Sequence, residues 1–413
     1  GLLRRLELLL GIADSAPEEA DRFYTVRLLL IEIVRTRIAR RSVKSLLGLN
    51  FDLFSRKLVE HAGETGEHYI TRTRREYWQM FKAAAGGGVM TVVTTMAKFA
   101  IGALKLPLFF EGLAAALNFS LSFLAMQAFG FILATKQPSM TASALAGRLK
   151  NDQHDASKIS DFVTLVAQIT RSQFISALGN VGICIPVAWA TDWVFEHLVG
   201  HHVLSPAYAL HMLETFHPWH SLTVFYAALT GVLLWLSSFG AGWLQNWVIF
   251  RRIPEAIATD RTLQNLMGEK RAFDLGESIR HNAAGWGGNI AIGFLLAFVP
   301  IIGKIFGVLL DVRHVTLTSG SMTFAFRAIN PESITPYMIS MMALSLLLIG
   351  TMNFGVSLVC ALYIAIRARR VSRSRFRALT AAVRRSFFRN PLPFFFPPRE
   401  ARTTEAAPPA SGS

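Results

Sequence analysis

The chain has 413 residues and is strongly basic, with 42 lysine and arginine against 27 aspartate and glutamate residues and a formal net charge of +15. It is also apolar, since 52% of its residues are hydrophobic and 31 are phenylalanine. This combination excludes an ordinary soluble basic protein, and only two cysteines, both in apolar stretches, speak against a disulfide framework. The positive charge must lie between apolar blocks, as in an integral membrane protein.

Residues 1–81 form the first predicted region, which is cytosolic and helical. The run from Tyr24 to Arg35 repeats apolar side chains at helical spacing, after start signals at Asp14, Ser15 and Pro17. The arginines of this region predict a solvated helix face or, as the alternative, contacts with anionic headgroups or nucleic acid. The chain begins at Gly1 without an initiator methionine, so we expect further sequence upstream.

Six apolar stretches follow, and each is long enough to predict a membrane-spanning helix of about 20 residues or more. The predicted spans are Ala83 to Leu104, Leu113 to Ala134, Phe174 to Phe195, Leu222 to Phe250, Trp286 to Leu310 and Tyr337 to Ile366. A very short connection joins the first two, which predicts a tight hairpin, either spanning or re-entrant. The predicted fold class is all-α, a polytopic helical membrane protein.

The distribution of basic residues predicts the orientation. Between Arg171 and Arg251, 79 residues pass without a lysine or arginine. Near the span ends, 23 basic residues fall on one side and three on the other. The positive-inside rule then places the richer side, with both termini of this segment, in the cytoplasm, and the spans in a bacterial inner membrane.

Seven segments result from this topology. They are a cytosolic helical region (1–81), a first transmembrane hairpin (82–134), a cytoplasmic helical loop (135–173), a second hairpin with a histidine-rich external loop (174–250), a second cytoplasmic helical loop (251–285), a third hairpin (286–366) and a basic tail (367–413). The tail combines arginines with a proline-rich end, which predicts a last helix followed by disorder.

Two polar strings at span ends carry a resemblance to a known family. They are Ala134-Thr-Lys-Gln-Pro-Ser-Met-Thr-Ala142 and Leu310-Asp-Val-Arg-His-Val-Thr-Leu-Thr-Ser-Gly320. From about residue 80 to the basic tail, the chain resembles the bacterial family of site-specific recombinases of the Gcr type. The family-like positions are Thr135, Lys136, Gln137, Pro138, Asp311, Arg313 and His314. The resemblance implies a name and further family sequence before Gly1, but it supplies no catalytic residue.

A tyrosine recombinase needs a nucleophilic tyrosine with arginines and a histidine or lysine around one phosphate. The nearest cluster runs from His68 to Tyr77 and includes Tyr69 and Arg72, all in one short helical segment that leads into a span. Side chains on several faces of one helix cannot converge on a phosphate. Interfacial anchoring is the simpler interpretation, so we assign no catalytic residue and do not expect an enzyme.

Polar side chains inside the spans are candidates for a functional role because they are costly in a membrane. The candidates are Lys98, Asn118, Asn180, Asp192, Asn289, Lys304 and Asn353. The alternative is structural, with snorkelling lysines and asparagines that hydrogen-bond between helices.

The external loop between the third and fourth spans holds six of the chain's eleven histidines within 24 residues. His197 and His201 share a helix face at a spacing that suits a metal ion, and His202 lies beside them. Interfacial histidines facing headgroups are the alternative interpretation. No phosphate-binding loop is evident, because Gly86-Gly-Gly88 lacks the following Gly-Lys-Ser/Thr, and we expect no cofactor.

The segment after the fifth span combines an acid, a base and a histidine at the predicted outer interface. In an extended chain Asp311 and Arg313 point the same way and can pair, while His314 points oppositely. The pair is either a structural lock or part of a polar site.

The function we predict is membrane transport, an envelope role or scaffolding, with DNA recombination and external metal binding as alternatives. The expected partners are the lipid bilayer and anionic headgroups at the basic termini, while nucleic acid is disfavoured and the oligomeric state is unspecified.

Overall fold

A computed structural model describes residues 26–31, 70–138, 141, 145, 156–368 and 373–398. The chain divides into two compact units, Gly1–Lys57 and Leu58–Ser413. In the first unit the described residues, 26–31, are helical. The other helices predicted before residue 70, and the end of the tail at 399–413, lie outside the described residues.

The described part of the second unit is helical and contains no strand, so the predicted all-α fold is confirmed. Six of its helices are long and apolar enough to cross a membrane. They are α1 (Arg74–Ala103), α2 (Leu108–Ala128), α3 (Ala156–Val199), α5 (Thr223–Phe250), α8 (Glu269–Phe306) and α10 (Pro336–Ala368). The shorter helices are α4 (Pro206–Thr215), α6 (Ile253–Thr259), α7 (Arg261–Met267), α9 (Val315–Ala328) and α11 (Arg373–Arg389). Both helices of the first pair, α1 and α2, are among these six.

Sequence signals explain where several helices begin and end. Thr73 and Glu76 form a capping box at the start of α1, each accepting a main-chain hydrogen bond that the helix leaves free. Ser205 caps α4, and Pro206 occupies its first position. The end of α8 falls at Gly307, whose φ of 65° belongs to the left-handed region.

Close contacts between helices define their directions. Gly179 of α3 packs on Phe81 and Ala84 of α1, and Gly88 packs on Asn180 and Cys184, so α1 and α3 are parallel. Against α8, Gly112 of α2 lies near Ile301 and Gln127 lies near Gly285, so these two helices are antiparallel. Glycine contacts of the same kind make α5 antiparallel to α8. Helix α5 is parallel to α10, because Ala227 meets Asn353 while Gly231 lies near Val356. Small residues permit this approach of backbones, as in other membrane helices.

Three spanning helices therefore run in each direction, and α1 begins at the same end of the bundle at which α10 finishes. We call this the proximal end and the opposite one the distal end. At the proximal end, α11 and the short 3-10 helix Leu392–Phe394 fold back onto the bundle. The Tyr77 hydroxyl donates to the carbonyl oxygen of Phe395 at 2.9 Å, and the Phe174 ring meets that of Phe395 edge to face.

Helix α9 does not span the bundle, although it is enclosed by it. Twelve of its fourteen residues are buried, and it packs against α1, α3, α4 and α10. It runs parallel to α3, because Cys184 of α3 contacts the carbonyl oxygen of Thr316 while Glu196, further along, pairs with Arg327. Its N-terminus thus lies inside the bundle and its C-terminus at the distal end.

Candidate functional site

The chain between α8 and α10 forms a re-entrant hairpin. Residues 308–314, which we call the extended arm, form no helix or strand, and α9 is helical, so each arm can reach at most roughly 20–25 Å. The turn lies beside Asn353, which is about 25 Å along α10 from its distal start at 1.5 Å per residue. The sequence places His314 at the outer interface, whereas the structure places it at the tip of this hairpin, within the bundle.

Asn353 holds the tip of the hairpin. This side chain is fully buried. Its amide nitrogen donates to the carbonyl oxygens of Arg313 and Ala227, each at 2.9 Å, and its amide oxygen accepts from the N–H of Val315 at 2.9 Å. Non-helical backbone inside a membrane protein requires such internal partners, so Asn353 makes the break in the chain sustainable.

A second break follows α2, and another asparagine holds it. Gly130 adopts a φ of +69° and the chain then runs extended to Leu133 before the short 3-10 helix Ala134–Lys136. Asn180 donates to the carbonyl oxygens of Ala84 at 2.6 Å and Ile132 at 2.8 Å, and it accepts from the N–H of Ala134 at 2.9 Å. For Asn180 and Asn353, the predicted interhelical hydrogen bonds include bonds to the backbone of the two broken segments.

The two breaks meet through side chains of both family-like motifs. The hydroxyl of Thr135 and Nε2 of His314 share a hydrogen bond of 2.7 Å. The ammonium of Lys136 contacts the side-chain amide oxygen of Asn289. The side-chain amide nitrogen of Asn289 in turn donates to the amide oxygen of Gln127 at 2.7 Å. We call these five side chains the polar layer.

From the polar layer a series of hydrogen bonds leads to the proximal end. Gln127 donates to the amide oxygen of Asn282 at 3.0 Å, and Asn282 donates to the carbonyl oxygen of Ser278, which is exposed, at 2.9 Å. These groups line the contact between α2 and α8. Polar side chains therefore connect the middle of the bundle with its proximal surface.

Two oppositely charged residues, Asp311 and Arg313, lie on the extended arm. Arg313, 7% exposed, pairs with Asp311 as predicted, and its guanidinium also lies over the rings of Phe216 and Tyr226 at 5.0 and 5.3 Å. Its backbone N–H donates to the hydroxyl of Thr230 at 2.8 Å. His314 points to the opposite side, toward Thr135, as expected for neighbours in an extended chain.

The predicted intramembrane lysines lie near this arm. Lys304 contacts Glu111 at 3.4 Å, and Lys98 is exposed and within electrostatic reach of Asp311. Burial raises the pKa of Tyr208 on α4, and the negative charges of Glu111 and Asp311 raise it further. The distal ends of α1, α2 and α8 thus surround a charged region. Asn118 lies apart from it and donates to the carbonyl oxygen of Thr94 at 3.0 Å.

The histidine-rich loop contributes one residue to a compact cluster at the distal end. Asp192, Glu196 and His202 could hold a metal ion, but Arg327 contacts both carboxylates. His202 contacts Asp192 at 2.8 Å. The other predicted ligands bond elsewhere, His197 to the carbonyl oxygen of Trp193 and His201 to that of His202. Sequence reasoning missed the two carboxylates as a pair, although their spacing of four residues puts them on one helix face.

No described residue completes the constellation that a tyrosine recombinase needs around a phosphate. Tyr77 is 3% exposed and its hydroxyl is bonded to Phe395. Arg171 donates to the carbonyl oxygens of Thr71 and Arg72 at 2.6 and 2.9 Å, so its guanidinium is also engaged. His68 and Tyr69 lie outside the described residues.

The fold and the site define a polytopic helical membrane protein with a re-entrant half-helix at its centre. A family model described as "Site-specific recombinase" matches residues 2–397, and the chain belongs to that family. The resemblance inferred from the two motifs is confirmed, and the match extends to the N-terminal region as well. No curated protein and no solved structure matches the chain.

Proposed function

We propose that this chain is a membrane transport protein and that a small solute binds at the polar layer. The observation that carries the proposal is the meeting of two broken chain segments in the middle of the bundle, one of them ending a buried half-helix. Transporters commonly form their binding sites in this way, because only irregular segments expose main-chain groups to a solute at that depth.

Polar routes on both sides of the layer support a path. Toward the proximal end, Gln127, Asn282 and Ser278 continue the hydrogen bonding from Asn289 to the surface. Toward the distal end, the extended arm passes Asp311 and Lys98, both of which are at least partly exposed. A scaffold has no need of a buried polar layer connected to both surfaces, whereas a solute path requires one.

We further propose that the proximal end faces the cytoplasm of a bacterial inner membrane. The loops and helices at that end carry most of the basic residues, in agreement with the positive-inside rule. Helix α11 has exposed Arg377, Arg384 and Arg385, contains no acidic residue, and also exposes Phe388. Such a helix suits the anionic headgroups of the cytoplasmic leaflet.

Flux into proteoliposomes tests the transport proposal. Vesicles containing the purified chain should become permeable to a small solute, as measured by light scattering after osmotic challenge with a panel of charged and uncharged compounds. Asn289→Leu, which removes the amide that joins Lys136 and Gln127, should reduce the flux. Arg280→Ala, at the proximal surface, is the control. If no compound of the panel enters the vesicles, the result contradicts transport and favours a scaffold.

DNA recombination is the second candidate because of the printed family name. Among the described residues near the basic cluster, Tyr77 is the tyrosine that a recombinase would use as its nucleophile. Its side chain is buried, however, and its hydroxyl donates to the carbonyl oxygen of Phe395. Incubation of the solubilised chain with supercoiled DNA should yield no covalent adduct. An adduct that Tyr77→Phe abolishes would establish the recombinase function instead.

A further inference from the structure

We infer that the distal cluster of Asp192, Glu196 and His202 binds a divalent transition-metal ion such as Zn²⁺, an inference that does not depend on the proposed transport function. The ligand atoms that the three side chains offer all lie within 4.8 Å of one another, so they face one common position. The two carboxylates stand on neighbouring turns near the end of α3, and the histidine comes from the loop that follows this helix. The fold therefore assembles the three groups at one place.

Glu196 and His202 present the two atoms that bind the ion directly. Oε1 of Glu196 and Nε2 of His202 are 3.5 Å apart, which is longer than an ordinary hydrogen bond. A tetrahedral zinc ion holds nitrogen and oxygen ligands at about 2.0–2.2 Å, so neighbouring ligand atoms lie about 3.4 Å apart. The two side chains are 37% and 26% exposed, and an ion can reach them from the solvent. Their spacing and exposure suit two ligands of one ion.

Asp192 fixes the imidazole ring of His202 for this role. The Asp192 side chain is fully buried, and its Oδ1 accepts from the N–H of Val203 at 3.0 Å. Its Oδ2 lies 2.8 Å from Nδ1 of His202, and an ionised carboxylate can only accept, so Nδ1 carries the proton. The neutral ring then presents the lone pair of Nε2 to a metal ion, as in other sites where a carboxylate orients a histidine ligand. Asp192 is thus a positioning residue.

Arg327 compensates only part of the negative charge of the cluster. Its Nη2 contacts Oε2 of Glu196, whereas Oε1 is the oxygen that lies near His202. Its Nε is 3.3 Å from Oδ2 of Asp192 and makes no hydrogen bond with a described residue. Two carboxylates and one guanidinium leave a net charge of −1 when His202 is neutral. A divalent cation is therefore attracted to Oε1 while Arg327 keeps its contact with Oε2.

The chemistry of the ligands favours zinc over calcium and magnesium. Zinc commonly takes imidazole nitrogen together with carboxylate oxygen, whereas calcium and magnesium prefer oxygen ligands alone. His197 and His201 do not belong to this cluster, because their Nδ1 atoms bond to the carbonyl oxygens of Trp193 and His202. These two histidines of the same loop serve as matched controls.

Calorimetric titration of zinc chloride into the detergent-solubilised full chain, purified without a histidine tag, tests the inference. We expect one ion to bind per chain. His202→Asn, which keeps a donor for Asp192 but removes the ligand nitrogen, should abolish binding, and His202→Cys, which supplies another zinc ligand, should retain it. Asp192→Asn should weaken binding about tenfold or more, as expected when the carboxylate behind a histidine ligand is lost. The double variant His197→Asn, His201→Asn should bind like the wild type.

Arg327→Gln should raise the zinc affinity about tenfold, because it removes a positive charge beside the ion, and a loss of folding could not produce this effect. Visible absorption of bound Co²⁺ reports the coordination, and its bands should be absent from His202→Asn. Failure of the wild type to bind zinc would overturn the inference. Equal binding by the wild type and His202→Asn would overturn it too, as would binding that only the double variant of His197 and His201 loses.

Discussion

Arg313→Ala should destabilise the protein strongly, because Arg313 locks the extended arm onto the distal end of the bundle. The side chain is 7% exposed and pairs with Asp311, donates to the hydroxyl of Thr223 at 3.2 Å and covers two aromatic rings. Breaking a buried pair by removing one partner costs about 3–5 kcal/mol. The side chain of Asp311 is 38% exposed and can be rehydrated, so we expect a loss near the lower limit, about 3 kcal/mol.

Equilibrium unfolding in mixed detergent micelles, followed by circular dichroism, measures this loss. The matched control is Arg280→Ala, which removes an arginine that pairs with Glu255 at 2.8 Å and Glu277 at 3.0 Å on the proximal surface. Pairs exposed to solvent contribute little, so the control should unfold like the wild type. Arg313→Ala should shift the folded-to-unfolded ratio by about a hundredfold.

Two results would refute this reasoning in different ways. If both arginine variants unfold like the wild type, Arg313 is not a lock. If Arg313→Ala folds normally and loses flux, its guanidinium belongs to the solute path and the pair with Asp311 is part of a functional site.

Three further predictions follow from contacts elsewhere in the bundle. Gly88→Leu should prevent folding or reduce the yield of folded protein, since even a Cβ at Gly88 would lie 2.5 Å from the carbonyl oxygen of Asn180. Size-exclusion chromatography in detergent measures the yield, and a monodisperse variant at the wild-type yield would contradict the prediction. Tyr77→Phe should cost about 1 kcal/mol of unfolding free energy, the value of one hydrogen bond, and leave solute flux unchanged. With a membrane-impermeant thiol reagent on intact cells, a cysteine at Ser205 should be labelled and one at Ser374 should not; the reverse pattern would invert the proposed orientation.

The sequence predicts the spanning helices well because each one carries its own signal. The span predicted from Leu222 to Phe250 corresponds to α5, and that from Tyr337 to Ile366 falls within α10. Length and hydropathy are local properties, and a helix satisfies its own backbone hydrogen bonds. The correspondence therefore needs no knowledge of neighbouring helices.

The re-entrant hairpin could not be predicted in the same way. Helix α9 has fourteen residues and is rich in serine, threonine and glycine, so it is too short and too polar to appear as a span. Its burial depends on Asn353 and on helices that are distant in the sequence. The motif positions stand out in the sequence because polar strings at span ends are unusual. The contact between Thr135 and His314, however, joins residues 179 positions apart. The sequence signal for the site is the polar string at the end of each of two predicted spans, where the apolar pattern is interrupted.

The most direct test of a solute path through the polar layer replaces Lys136 by cysteine and then restores its charge. The native Cys184 and Cys360 are first changed to alanine, and the flux of the solutes in the panel is measured in proteoliposomes. We predict that Lys136→Cys lowers the flux, that modification with an aminoethyl thiosulfonate reagent restores it by adding an ammonium group, and that a methyl reagent does not. Flux that is unaffected by Lys136→Cys, or that both reagents restore equally, would contradict the account.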